Sequence, residues 1–103
     1  KKKFFLCIAS SGSRNNVTLG LEKLGYIDFF EHIICADDVK LAKPNPEIFL
    51  KVLSLTGFDA DKSLIFEDSS KGILAAKLSN IDFIDVRDFS FTELLNRFNQ
   101  NEF

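Results

Sequence analysis

The sequence has no methionine and no tryptophan, no excess of either charge, and no long apolar run. Each shortage excludes something. Thirteen basic residues stand against fifteen acidic ones, a net charge of −2. A nucleic-acid-binding domain of this size is usually basic, with Lys and Arg gathered on one face. Here the only basic run is Lys1-Lys2-Lys3, so no nucleic-acid partner is expected. No apolar stretch approaches the ~18 residues a membrane helix requires, so no membrane partner is expected either. No secretory signal pattern follows the lysines, because Cys7-Ile8-Ala9 ends at once in Ser10-Ser11-Gly12-Ser13. Two cysteines do not make a disulfide framework. Each lies in an apolar run, so Cys7 and Cys35 read as buried free thiols in a reducing, cytoplasmic setting. Position 1 is not methionine, and a chain opening Lys-Lys-Lys-Phe-Phe is expected to be a piece of something longer.

What is present is an ordinary globular composition, 46% hydrophobic and 27% charged over 103 residues. That length suits a single domain spanning 1–103. Lys3 to Ala9 is a short continuous apolar run and reads as a strand buried on both faces. Val17, Leu21 and Leu24 then mark a helix face, which Gly25 ends. Ile33 to Ala36 reads as a second strand, followed by a polar loop from Asp37 to Pro44. Asn45 suits an N-cap, with Pro46 at the first helical position. Ile48, Phe49, Val52 and Leu53 form an apolar stripe that runs to Gly57. Leu64 to Phe66 is a third strand. A helix carries Ile73, Leu74, Ala76 and Leu78 to Asn80, and Ile81 to Val86 is a fourth strand. Ser90 to Glu93 forms a capping box for a last helix. Four strands alternating with helices predict an α/β fold with a parallel, Rossmann-like sheet.

In such sheets, ligands bind just beyond the carboxyl ends of the strands. Ser10 and Ser11 follow the first strand, Asp37 and Asp38 the second, with Lys43 closing that loop. Glu67 and Asp68 follow the third. Each has a plain structural reading: the serines cap a helix, Lys43 is a solvated loop lysine, and the carboxylates precede a helix N-terminus. Together they favour a different reading. A hydroxyl with free N–H groups at a helix start is an anion site, and a lysine is a compact positive charge that suits phosphate. Paired carboxylates suit Mg²⁺, which is bound through one or two carboxylates plus phosphate oxygens.

The motifs carry a resemblance. Cys7-Ile8-Ala9-Ser10-Ser11-Gly12-Ser13-Arg14 resembles the second motif of the haloacid dehalogenase (HAD) superfamily. Lys43-Pro44-Asn45-Pro46-Glu47-Ile48-Phe49 resembles its third. Ile65-Phe66-Glu67-Asp68-Ser69-Ser70-Lys71-Gly72-Ile73-Leu74-Ala75-Ala76 resembles its fourth. The wording is similar to the β-phosphoglucomutase-like branch of sugar-phosphate phosphatases and mutases, and the likeness runs from about Phe4 to Val86. It implies a three-layer core and phosphoryl transfer to or from a small phosphorylated metabolite such as a sugar phosphate. It further implies that Ser10 and the Ser11 N–H hold phosphoryl oxygens. Lys43 would neutralise charge during catalysis, and Asp68 would bind Mg²⁺ with Glu67 as a direct or water-mediated partner. Such roles are mostly electrostatic, as phosphoryl transfer demands.

The departures matter as much. The first motif, an Asp-x-Asp after an apolar strand that supplies the nucleophile, is absent from this sequence. Asp37-Asp38 lacks the spacing, and Asp82 and Asp85 lie downstream of everything else. Asn80 stands where the family usually has Gly, a minor change because Asn also tolerates the left-handed conformation. The resemblance therefore implies the C-terminal part of a capped enzyme, inactive alone, without the nucleophile or the substrate-selecting cap. Two other readings stay open: a non-catalytic phosphate-binding or regulatory domain, and a plain structural α/β unit. The implied strand order is fourth, third, missing strand, first, second. The apolar edges at Phe4–Ala9 and Leu64–Phe66 are then open to association. A strand-wide slot is expected to close by direct pairing or to be filled by another segment or chain.

Overall fold

A computed structural model of the chain describes residues 4–100. Strand β1 (Cys7–Ala9) leads into helix α1 (Arg14–Leu24), and β2 (His32–Ile34) into α2 (Glu47–Thr56). Strand β3 (Leu64–Glu67) leads into α3 (Ser70–Ser79), and β4 (Asp82–Asp85) into α4 (Phe91–Asn99). The fold is α/β with parallel strands, as the sequence pattern predicts.

Local chemistry sets the helix ends. The Ser13 hydroxyl accepts from the Asn16 N–H, and that of Ser69 from the Gly72 N–H. Both satisfy N–H groups that the helix leaves unpaired. Ser90 and Glu93 form the reciprocal capping box expected from their spacing. The second helix begins one residue later than expected, at Glu47. The Asn45 side chain still accepts from the Glu47 N–H at 2.9 Å, so Asn45 caps while Pro46 forms the turn. Gly25, Gly57 and Asn80 close the first three helices in the left-handed conformation.

Several expectations need correction. The first strand is only Cys7–Ala9, because its parallel partner β2 begins at His32, opposite Cys7, and offers no ladder to the residues before it. Its residues are half-buried, not buried on both faces, and Phe4 to Leu6 are exposed. Cys35 is fully buried as expected, but Cys7 is only half-buried because it faces a cleft; both are free thiols. The second strand stops before Cys35. There Asp38 accepts from the Cys35 N–H and draws residues 36–38 into a 3₁₀ turn. Val17 and Leu21 are half-buried, whereas Leu24 is 66% exposed because no described residue covers that last turn.

The sheet topology bears on function. β1 pairs in parallel with β2, and β3 in parallel with β4, but the two pairs do not join. The cleft between them is lined by Cys7 to Gly12 on one side and by Phe66 to Ser69 on the other. The inner edges of β1 and β3 therefore face each other, as the implied order requires. They do not pair directly, and in the single chain the slot stays open. Of the outcomes expected for the slot, direct pairing of β1 with β3 does not occur. One core runs beneath both strand pairs, joining Ile34, Ile48 and Phe49 to Ala75, Ala76 and Ile81, with Ala9 and Ile65 packed against it. Helix α2 packs on β1 and β2, α3 on β3 and β4, and the two helices pack on each other. This helical layer holds the halves together where the sheet is interrupted, and burial of its apolar face supplies the cohesion.

Candidate functional site

Five of the seven residues that the sequence places beyond the strand ends line one cleft of about 460 Å³: Ser10, Ser11, Lys43, Glu67 and Asp68. They meet because parallel strands bring the residues after β1 and β3 to the same end of the sheet. Lys43 arrives from the loop after β2.

Lys43 sits at the junction. Its ammonium donates to the Ala9 carbonyl at 3.0 Å and to Glu67 Oε2 at 2.8 Å. It also lies 5.1 Å from the Phe49 ring centroid, within reach of the ring's negative face. Its side chain is 7% exposed and that of Glu67 9%, so this is a buried ion pair spanning both halves of the chain. An ammonium carries three N–H donors, and these contacts use two. The third is left for an acceptor in the cleft.

Glu67 is fully engaged. Oε1 accepts from the Asp68 N–H at 3.1 Å and the Ser69 hydroxyl at 3.3 Å, while Oε2 takes Lys43. Burial pushes the Glu67 carboxyl up, but Lys43, the Asp68 N–H and the Ser69 hydroxyl outweigh it and hold the group below its usual range. Asp68, one residue on, is exposed.

On the other wall, Ser10 Oγ accepts from the Gly12 N–H at 3.0 Å, which curls the loop into α1. The Ser10 hydroxyl proton stays free to donate. Ser11 is exposed at the rim. The loop is braced from below by the Ser10 N–H on the Ile34 carbonyl and the Ala36 N–H on the Gly12 carbonyl.

Asp37 and Asp38 stand apart from this cleft. Asp37 accepts from the Arg14 N–H at 2.8 Å, and Asp38 pairs with the Arg14 guanidinium. The Cys35 N–H, more than Arg14, holds Asp38 below the usual carboxylate range. These two acids shape the turn after β2.

Two positioning residues escape residue-by-residue reading of the sequence. The Glu47 carboxylate accepts from the Lys40 and Leu41 N–H groups, which folds the loop back so that Lys43 enters the cleft. Its signal was the three-residue spacing from Pro44, visible only as part of a motif. Gly72 lies against Glu67: a Cβ there would stand 2.0 Å from Glu67 Cδ. Its signal was a glycine inside an otherwise good helix, where glycine is unfavourable and a packing reason is to be sought.

The donor set at the cleft suits part of a hard cation's shell. Asp68 offers free carboxylate oxygens at the cleft, while both Glu67 oxygens are in use. Among the described residues no group of three His, Cys, Asp or Glu converges as a metal cage. Mg²⁺ does not need one, since it keeps waters and takes one or two carboxylates plus phosphate oxygens. The residues present fit part of such a coordination sphere.

Fold and site together define an α/β protein with a lysine–carboxylate cleft at the carboxyl ends of parallel strands. Residues 1–86 match the profile of the haloacid dehalogenase-like hydrolase family. The chain belongs to that family. It is 35% identical over 83 residues to a phosphorylated carbohydrates phosphatase from Thermotoga maritima, covering 81% of this chain and 38% of the relative. A crystal structure from Thermotoga maritima, assigned as a β-phosphoglucomutase, superposes with a TM-score of 0.77 at 32% identity, covering 80% of this chain and 38% of that one. YfnB from Bacillus subtilis, assigned as a HAD-hydrolase and crystallised bound to magnesium, gives 0.80 at 26% identity, covering 93% and 48%. The chain thus spans about two fifths of the length of the curated relatives it matches. Among the described residues, no helix is long and apolar enough to cross a membrane.

Proposed function

We propose that this chain is the phosphate-handling part of a Mg²⁺-dependent phosphatase or phosphomutase acting on a small phosphorylated metabolite, of which a sugar phosphate is the favoured class. The observation that carries the proposal is the buried Lys43–Glu67 pair at the head of a cleft rimmed by Ser10, Ser11 and Asp68. The relative named for phosphorylated carbohydrates supports the substrate class.

In this reading Lys43 directs its remaining N–H at a phosphoryl oxygen. The Ser10 hydroxyl and the Ser11 N–H take the others, so charge that builds in the transition state meets fixed donors. Asp68 would hold Mg²⁺ directly, and Glu67 would stand behind it as the partner that keeps Lys43 in place. Bound Mg²⁺ supplies neutralisation of phosphate charge. The nucleophilic aspartate lies outside these 103 residues, and the reaction runs through an aspartyl-phosphate.

The test is steady-state kinetics of the full-length protein on a panel of sugar phosphates, with and without Mg²⁺. Lys43→Ala is expected to lower kcat/KM by roughly 100- to 1,000-fold, the effect of losing one transition-state charge donor. An unchanged kcat/KM would remove Lys43 from the chemistry. Tight binding of phosphate without turnover of any substrate would favour the regulatory reading instead.

A further inference from the structure

The observation lies behind the cleft, at the first turn of α3. Glu67 is buried, yet the backbone of Gly72 runs beside its carboxyl group. A Cβ on residue 72 would fall 2.0 Å from Glu67 Cδ, 2.3 Å from Cγ and 2.4 Å from Oε1. No contact that close survives, and rotation of a flexible tip does not relieve it, because Cγ and Cδ are both struck. The Gly72 N–H is itself held by the Ser69 hydroxyl, which also donates to Glu67 Oε1. The first turn of α3 is thus a cradle shaped to one rotamer of one glutamate. Gly72 has no positive φ to explain it, and glycine inside a helix costs about 1 kcal/mol against alanine. Something other than helix formation accounts for it.

We propose that Gly72 is a positioning residue for Lys43, acting through Glu67. The absence of a side chain lets the Glu67 carboxylate lie across the start of α3 and present Oε2 to Lys43. Lys43 is in turn fixed on the Ala9 carbonyl, at the end of the opposite strand pair. The reach of this effect spans the cleft: a methyl group on α3 displaces Glu67, frees Lys43, and loosens the ionic link between Lys43 and Glu67 at the mouth. The consequence for phosphoryl transfer rests on the function proposed above. The positioning itself does not, and the test is chosen to read it without any turnover.

The experiment is residue-resolved amine labelling of the full-length protein with a water-soluble acylating reagent, read by peptide mass spectrometry. Thiol labelling of Cys35, which is 0% exposed, reports global opening in the same samples. In the parent, Lys43 is expected to react far more slowly than the exposed Lys71 and Lys77. Gly72→Ala is expected to raise Lys43 labelling roughly tenfold or more, about what one charge-assisted hydrogen bond is worth, with Cys35 still protected. Glu67→Ala is expected to do the same. Adding Gly72→Ala to Glu67→Ala is then expected to change nothing further, because the struck atoms are gone. Lys43 remaining protected in Gly72→Ala would overturn the proposal. So would an additive effect in the double variant. If Gly72→Ala alone does not fold, the double variant must fold as well as Glu67→Ala. Failure of both would show that Gly72 serves the helix and not the glutamate.

Discussion

Replacing Lys43 by Met is the sharpest probe of the buried pair. Met keeps an apolar stem over Phe49 and deletes the charge, so packing changes little. Glu67 is then left buried with its Asp68 and Ser69 donors but without its counter-ion. Removing one partner of a buried pair costs about 3–5 kcal/mol. The pair here lies at an open cleft, and two of Glu67's three donors remain, so about 2–3 kcal/mol is the reasoned figure. For a domain of this size that lowers Tm by roughly 10–20 °C. The pH dependence has a definite sign. In the parent, Glu67 is held below its usual range, so its contribution is full above the ordinary glutamate value of about 4.3 and fades as pH falls through the lower folded value. In Lys43→Met, burial acts without its main opponent, and Glu67 takes up a proton at higher pH, which relieves the cost. The stability gap between parent and variant is therefore widest near neutrality and narrows as pH falls through about 4.3. Urea unfolding followed by circular dichroism at several pH values measures it. A gap below about 1 kcal/mol at neutral pH, the size of an exposed pair, would refute the reasoning. So would a gap that is the same at neutral and acid pH.

Two further outcomes are expected. The 103-residue chain by itself does not hydrolyse p-nitrophenyl phosphate, because no Asp-x-Asp stands at the end of an apolar strand in its sequence, Asp59-Ala60-Asp61 lying instead in the turn before β3; turnover that Asp68→Ala abolishes would contradict this. Gly57→Ala is expected to cost about 1–2 kcal/mol in thermal or urea unfolding, since Gly57 has a φ of 75° and no neighbour within 4 Å of an added Cβ, leaving backbone strain as the cause; an unchanged midpoint would show that the helix ends elsewhere.

What was legible in the sequence was whatever depends on near neighbours. The caps at Ser13, Asn45 and Ser90 follow from side chains bonding within three residues. The stops at Gly25, Gly57 and Asn80 follow from one backbone angle each. The convergence of Ser10, Lys43 and Asp68 was legible too, because parallel strands deliver the residues after them to the same end. What was not legible depends on contacts made across distance. Asp37 and Asp38 looked like site residues until Arg14, 23 and 24 positions away, was seen to engage them. Glu67 reads from the sequence as a direct or water-mediated partner of Asp68 at Mg²⁺, and its pairing with Lys43 shows only in the fold. Burial patterns misled at β1, because an apolar run states what a strand can be covered by and not what covers it.

The open slot between β1 and β3 ties these points together. Two parallel strand pairs with facing edges make a weak body if sheet hydrogen bonds are the only glue. Among the described residues, two links between the halves bear on the site. One is the apolar layer of α2 and α3, which is non-directional and tolerates a missing ladder. The other is Lys43, whose ammonium touches the last residue of β1 and the last residue of β3 at once. The first link sets how far apart the halves sit, and the second sets how their carboxyl ends are aligned. Under the proposed function that alignment matters, since the Ser10 donors on one wall and Mg²⁺ held by Asp68 on the other would have to meet one small anion. The residue that binds charge is thus the same residue that registers the two halves. Substitutions that loosen Lys43 are therefore expected to disturb the site before they disturb the fold.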